Sequence, residues 1–354
     1  MRIVIVGEDA GQSGDFEQAL ADFGLEWQVV WLSDPAAALS LSAGDAVDVV
    51  MCGLRLGPVP GPTLLAQLAA SHPQAVRVLL LDQDQDSGLM QGLDCAHRLL
   101  SRPLDAGELI EAVDSVAELR QVLDNDELKQ TIGRISSLPP PPRLYLDLTR
   151  LLRDPDASNA AIAQTLSQDP AIAAKVLRLC NSAYFSGGRE ITDIRAAVTR
   201  LGHQALLRLV LASEAFSVPQ IGGGVDRAAM QDRALRTSRL ARRLLAGPSA
   251  ELAATAGLLA EVGRLLPGVS EGGEAPGPHY AEAGAYLLGL WGLPMPIVEG
   301  VAYHHRPARL RSTGFWVAGA VHVASALVAG TPVDEAYLRS VGQHDKLPQW
   351  REMV

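Results

Sequence analysis

Imidazole and carboxylate side chains are the groups best suited to hold a metal ion that activates water, and here they gather in few places. Glu261 lies in "GLLAEVGRLL" (257–266), His304 and His305 in "AYHHRP" (302–307), and His322 in "HVASAL" (322–327). Adjacent histidines cannot both point to one side of a helix, so His304 and His305 are no ready-made metal site. A hydrogen-bonding or capping role at the helix end before Arg306-Pro307 suits them better, and His322 reads as a core or packing histidine. Near the start of the chain, Glu8 and Asp9 follow the apolar run "IVIV" (3–6), and Asp82 follows "VRVLLL" (76–81). Acids at the carboxyl ends of buried strands stand where open α/β sheets place their chemistry.

The elements that must position these groups divide the chain in two. Short apolar runs at 3–6, 26–32, 47–52, 76–81 and 97–100 alternate with helix-length segments. That alternation predicts repeated β-α units around a parallel sheet. Asp34-Pro35 and Asp105, with Glu108 three residues later, look like helix starts. A helical pattern continues through 117–136 and meets "SLPPPPR" (137–143), which predicts a stiff polyproline II spacer. Beyond it, apolar residues recur three and four apart and strand-like alternation is absent, so an all-α bundle of about 200 residues is expected. "SNAAIAQTLSQ" opens on an N-cap serine, and Pro170 takes a first-turn position. Asn181-Ser182 reads as a helix C-terminus whose side chains satisfy backbone groups.

Composition excludes several classes. Residues 1–118 hold 5 Arg and no Lys against 18 Asp and Glu, whereas the whole chain has a net charge of −10. An acidic lobe joined to a near-neutral one lacks the basic footprint of a nucleic-acid binder, and no DNA partner is expected. "AAVTRLGHQALLRLVL" invites a helix-turn-helix reading at Gly202, but its second helix is dominated by apolar residues, so core packing is preferred. No run of 18 apolar residues appears, and "MRIVIVGEDAG" predicts a buried strand, not a signal peptide. The three cysteines, Cys52, Cys95 and Cys180, have neither metal-ligand nor disulfide spacing, which suits a reducing cytoplasm.

Over residues 1–118 the order and spacing resemble the receiver domain of bacterial two-component response regulators. "DVVMCGLRL" stands where such domains carry the phosphoacceptor strand, and "LLSRPLDAGELIEAV" resembles their fifth strand, Lys-Pro turn and last helix. The resemblance implies an Asp nucleophile, two acids around Mg²⁺, a hydroxyl residue and a Lys. Here Gly53 stands at the nucleophile position and Gly7-Glu8-Asp9 replaces the acidic cluster. Asp82 replaces the hydroxyl residue, and Arg102 replaces the Lys with a different geometry. The expectation is a receiver-shaped interaction module without phosphotransfer.

Residues 138–330 resemble the HDOD family of HD-related output domains. The resemblance rests on "LPPPPRLYLDLTRLLRDPDAS", "LSQDPAIAAKVLRLCNSAYF", "ITDIRAAVTRLGHQALLRLVL", "GLLAEVGRLL" and "YLLGLWGLPMPIVEGVAYHHRP". It implies a catalytically silent relative of HD phosphohydrolases that serves as a signalling output. Matched to the HD metal positions, the first His falls on or near Arg233, the His-Asp pair becomes Ala260-Glu261, and a later Asp becomes Ser325. Arg233, Ala260, Glu261, His304, His305 and Ser325 thus form the expected vestigial site.

The expected architecture is a receiver-like (flavodoxin-like) α/β domain at 1–118, a linker helix at 119–137, an HD-like α-helical bundle at 138–330 and a tail at 331–354. The expected function is non-enzymatic signal transduction in the cytoplasm through protein-protein contact, without cofactor or metal. Two alternatives stand beside it: an HD-type phosphohydrolase or cyclic-nucleotide phosphodiesterase with an unorthodox site, and a sensor that binds a nucleotide such as cyclic di-GMP without cleaving it. A homodimer is also expected, because Leu109, Ile110, Val113, Val116, Leu119, Val122 and Leu123 form a stripe beyond what one core face requires.

Overall fold

This computed structural model describes residues 1–7, 18, 20–22, 27–41, 46–81, 95–102, 106–123, 126–133, 148, 151, 157–181, 190–202, 206, 226–271, 277–310 and 314–354. The chain forms two compact units, one built mainly from Met1–Ser137 and the other from Leu138–Cys180, Glu190–Gly289 and Leu293–Val354.

In the first unit, β1 (Arg2–Val6), β2 (Gln28–Leu32), β3 (Val49–Gly53), β6 (Val76–Leu81) and β7 (Arg98–Ser101) form a five-stranded sheet in the order β2-β1-β3-β6-β7. Every pairing in it is parallel. This is the flavodoxin-like order, whose switch point between β1 and β3 opens a crevice at the strand carboxyl ends. Strands β3 and β6 are buried along their whole length, as central parallel strands covered on both faces must be. A short antiparallel pair, β4 (Arg55–Leu56) and β5 (Val59–Pro60), precedes α2 (Gly61–Ser71). Helix α1 (Pro35–Leu39) starts at Asp34, whose carboxylate accepts the Ala36 N–H at 2.9 Å. Asp105 lies outside the described residues.

Among the described residues of 119–137, helix α3 (Ala106–Val122) runs into that range and is followed by a second helix, α4 (Asp126–Gly133). Arg77, only 2% exposed near the start of β6, ties α4 to the sheet. Its Nε donates to the Cys95 carbonyl at 2.8 Å and its Nη1 to the carbonyl of Gly133 at the end of α4. Burial lowers the Arg77 pKa to about 10, so it stays charged at neutral pH beside the negative end of that helix.

The α3 stripe also departs from expectation. Leu109, Val113, Val116, Leu119 and Leu123 are all buried within the chain itself. These five serve as a core face of the first unit, and Ile110 is half-buried.

The second unit is helical among its described residues. In order it contains α5 (Asn159–Leu166), α6 (Pro170–Cys180), a helical stretch at 194–202, α7 (Arg227–Leu244), α8 (Pro248–Leu259), α9 (Tyr280–Leu290), α10 (Met295–Tyr303) and α11 (Val317–Ala329). Ser158 caps α5 by accepting the Ala161 N–H. Asp169 does the same for α6, accepting from Ala171 and Ile172 at 2.7 and 2.9 Å. Helices α7, α8, α10 and α11 pack on one another through small residues, with Gly300 of α10 set against Ala256 and Val317. The polyproline segment, Ser182 and most of the proposed helix-turn-helix stretch lie outside the described residues.

Residues 331–354 are not a loose tail. Helices α12 (Glu335–Ser340) and α13 (Leu347–Arg351) fold back, and Tyr337, Leu338, Leu347 and Trp350 form a buried cluster with Val323 of α11. Trp350 stacks on Phe315 with ring centroids 5.2 Å apart. The apolar residues show only modest helical character in the sequence, yet they gather in one cluster. Replacing Trp350 with Ala should therefore destabilise the second unit by about 3–4 kcal/mol, read as a lower denaturant midpoint for that unit.

Candidate functional site

In the first unit, the crevice at the strand carboxyl ends can be followed at Gly53 and Arg102, whereas Glu8, Asp9 and Asp82 lie outside the described residues. Gly53 ends β3, and Arg102 follows β7, where its backbone N–H donates to Leu81 O at 3.0 Å. A Cβ built on Gly53 would collide with the Arg102 guanidinium. The space beside the phosphoacceptor position is thus filled by a cation from the neighbouring turn, and Gly53 is the residue type that leaves room for it. Burial lowers the Arg102 pKa.

The second unit brings most of its expected residues together. Arg233 of α7 and Glu261, in the turn after α8, form an ion pair at 2.9 Å, with a further Arg233 Nε–H donated to the same carboxylate at 3.2 Å. This fork-on-carboxylate geometry is the strong form of the pair, and it raises the Arg233 pKa further. Ala260, the neighbour of Glu261, is buried and has no donor to offer. Sequence reading missed Arg264, whose Nε lies 3.7 Å from the same Oε2 of Glu261 and which pairs with Glu271. Its guanidinium also sits 4.0 Å above the ring of Tyr280, at the start of α9. The signal for this contact was Gly263: a Cβ there would strike the Tyr280 carbonyl and the backbone of Gly284. Two glycines let the turn lie directly on α9.

From Tyr280 a line of hydrogen bonds continues through the histidines, and the fixed partners set their tautomers. His304 caps the end of α10, and its Nδ1 faces the Val301 carbonyl at 2.7 Å, so Nδ1 carries the proton. The bare Nε2 accepts from the Tyr280 hydroxyl at 3.3 Å. Tyr280 oxygen then accepts from His305 Nε2 in a short contact. His322 donates Nδ1–H to His304 O at 2.7 Å, and its Nε2 accepts the Asp334 N–H at 2.9 Å. Asp334 in turn caps α12 by accepting the Tyr337 N–H. Every donor in this line meets an acceptor, and every imidazole in it is neutral. Ser325 stands apart, its hydroxyl donating to His322 O within its own helix. Among the described residues, no group of three His, Cys, Asp or Glu is placed to hold a metal ion.

Residues 138–268 match the family model of the HDOD domain. The second unit carries an HDOD domain. The chain is 29% identical over 198 residues to a protein of Treponema pallidum (strain Nichols), which covers 49% of this chain and 38% of that one. The chain thus spans 38% of the length of the curated relative it matches. Among solved structures, it is similar to the MmoQ response regulator of Methylococcus capsulatus strain Bath, with 22% identity and a TM-score of 0.47 over 61% of this chain and 98% of that one. It is also similar to the signal receiver domain of an HD domain-containing protein from Pseudomonas fluorescens Pf-5, with 27% identity and a TM-score of 0.31 over 34% and 96% of the two chains.

The HDOD unit's buried histidines make its stability pH-dependent. His304 is 2% exposed, and burial, then His305, lowers its pKa from 6.5 to about 3. The unfolded chain therefore binds a proton that the folded chain refuses between those two values. Stability should be flat above pH 6.5 and fall as the pH drops below it, by up to about 1.4 kcal/mol per pH unit for this group. Urea unfolding at pH 7.5, 6.5, 5.5 and 4.5 measures the slope.

Proposed function

We propose that this protein is a non-enzymatic signal-transduction protein acting in the cytoplasm, with a receiver-shaped input unit and an HDOD output unit that work through protein-protein contact. The observation that carries the reading is the use of Glu261. At the position matched to the metal-binding pair, the carboxylate is engaged by Arg233 and approached at the same oxygen by Arg264. A divalent cation would have to displace the Arg233 guanidinium and then sit beside two positive charges, with Ala260 supplying no ligand. Arg102 beside Gly53 supports the same conclusion for the first unit: the sheet has the receiver order, but the acceptor position has no side chain to phosphorylate.

Such a protein acts by presenting surfaces. The excess of 13 negative charges over residues 1–118 would steer basic partners toward the first unit and repel acidic ones. No helix among the described residues is long and apolar enough to cross a membrane.

Two measurements on the purified full chain test this reading. Incubation with acetyl phosphate and Mg²⁺ should leave the intact mass unchanged. Elemental analysis after purification without chelators should show no stoichiometric iron, manganese or zinc. Stoichiometric metal together with hydrolysis of a phosphodiester would overturn the proposal in favour of an HD-type phosphohydrolase.

A further inference from the structure

Two helices carry a like-charged ridge on the side that enters no core. On α3, Leu109, Val113, Val116 and Leu119 are buried, and the opposite side exposes Glu111, Asp114 and Glu118. On α7, Met230, Ala234, Leu240 and Ala241 are buried, and Arg236, Arg239 and Arg243 are exposed. Each ridge steps by three residues and then by four, so its members stand one turn apart on one face and repel one another. Each covers about 10.5 Å, seven residues at the helical rise. The two ridges thus share length and register and differ in sign.

The chain itself offsets neither ridge. Glu111 feels the buried Arg98, whereas Asp114 and Glu118 have no ion-pair partner among the described residues. On α7, Arg236 meets Asp232 of the same helix at 3.7 Å, a loose pair between exposed side chains. Arg243 donates Nη1–H to the Met353 carbonyl at 3.2 Å, which satisfies one donor and leaves the charge uncompensated. Arg239 has no ion-pair partner among the described residues. Arg242 shows the contrast: it lies off the ridge and is paired with Glu251 at 2.6 Å.

We propose that the arginine ridge of α7 docks the acidic ridge of α3 in a second copy of this chain. Charge complementarity selects the occupant, because the acidic ridge offers three carboxylates in the same three-four register as the three guanidinium groups. Every chain carries both ridges. One contact therefore leaves an acidic ridge open on one copy and a basic ridge open on the other. A reciprocal contact between those two closes a two-fold dimer, in which both ridges of each copy face the opposite charge. The pairs lie at the surface, so the dimer is weak and sensitive to salt. The proposal goes beyond the non-enzymatic reading and needs nothing from the two reactive positions.

Sedimentation equilibrium of the full chain tests it. A dimeric mass is expected at about 20 mM salt and a monomeric one at about 500 mM, where screening is nearly complete beyond contact distance. One variant combines Glu111→Arg, Asp114→Arg and Glu118→Arg, and a second combines Arg236→Glu, Arg239→Glu and Arg243→Glu. Each variant alone carries two ridges of one sign and should be monomeric at low salt. Mixed in equal amounts, they present opposite ridges again and should recover the dimeric mass. Asp114→Arg and Arg239→Glu as single changes should each raise the dimer Kd about tenfold, which keeps the test open if a triple variant fails to fold. Thermal unfolding verifies the fold of each. A monomeric parent chain at low salt overturns the proposal, as does a dimer that survives either triple reversal or a mixture that stays monomeric. The mass is blind to metal and to phosphotransfer, so this proposal and the non-enzymatic reading fail separately.

Discussion

One carboxylate organises the HDOD unit. Glu261 leaves the end of α8 and is caught by Arg233 from α7, with Arg264 from its own turn 3.7 Å from the same Oε2 oxygen. Arg264 is thereby placed over Tyr280, and Tyr280 hands the contact on to His304 and His305 at the end of α10. His322 of α11 takes it from the His304 carbonyl to the cap of α12. A polar line thus crosses from α7 to α12, and the apolar packing of α7, α8, α10 and α11 surrounds it.

The chemistry of that line differs from the chemistry its position suggests. Metal centres need ligands with unshared electron pairs converging on one point. Here the lone pairs are already committed: Glu261 to guanidinium, His304 Nε2 to a hydroxyl, His322 Nε2 to a backbone N–H. The residues that could ligate have become a structural network, in which the Glu261 carboxylate and the histidine N–H groups are paired. The same replacement occurs in the first unit, where a guanidinium takes the space beside Gly53. In both units an arginine side chain occupies the space beside the position in question.

A polar line committed in this way gives rigidity where a metal centre needs open, reactive groups.

The sequence by itself determined the two architectures and several of their boundaries. Apolar runs of four to seven residues alternating with helix-length segments pointed to a parallel sheet, and three-four spacing beyond residue 157 to packed helices. Caps at Asp34 and Ser158 were legible because a cap is a local event, made between residues two or three apart. The motif positions of Arg233, Ala260 and Glu261 were legible as departures from a pattern. Their partnership was not, since Arg233 and Glu261 are 28 residues apart and nothing local links them. The contact of Arg264 with Tyr280 left only the small residues Gly263 and Gly284 as a sign, because a cation over a ring exists only once the backbone has closed. The α3 stripe and the C-terminal residues show the same limit from the apolar side. Periodicity reports that Leu109, Val113 and Val116 must be buried, and the presence of Trp350 that something must cover it. Which surface does the covering is settled by long-range packing, and here both are covered by their own chain.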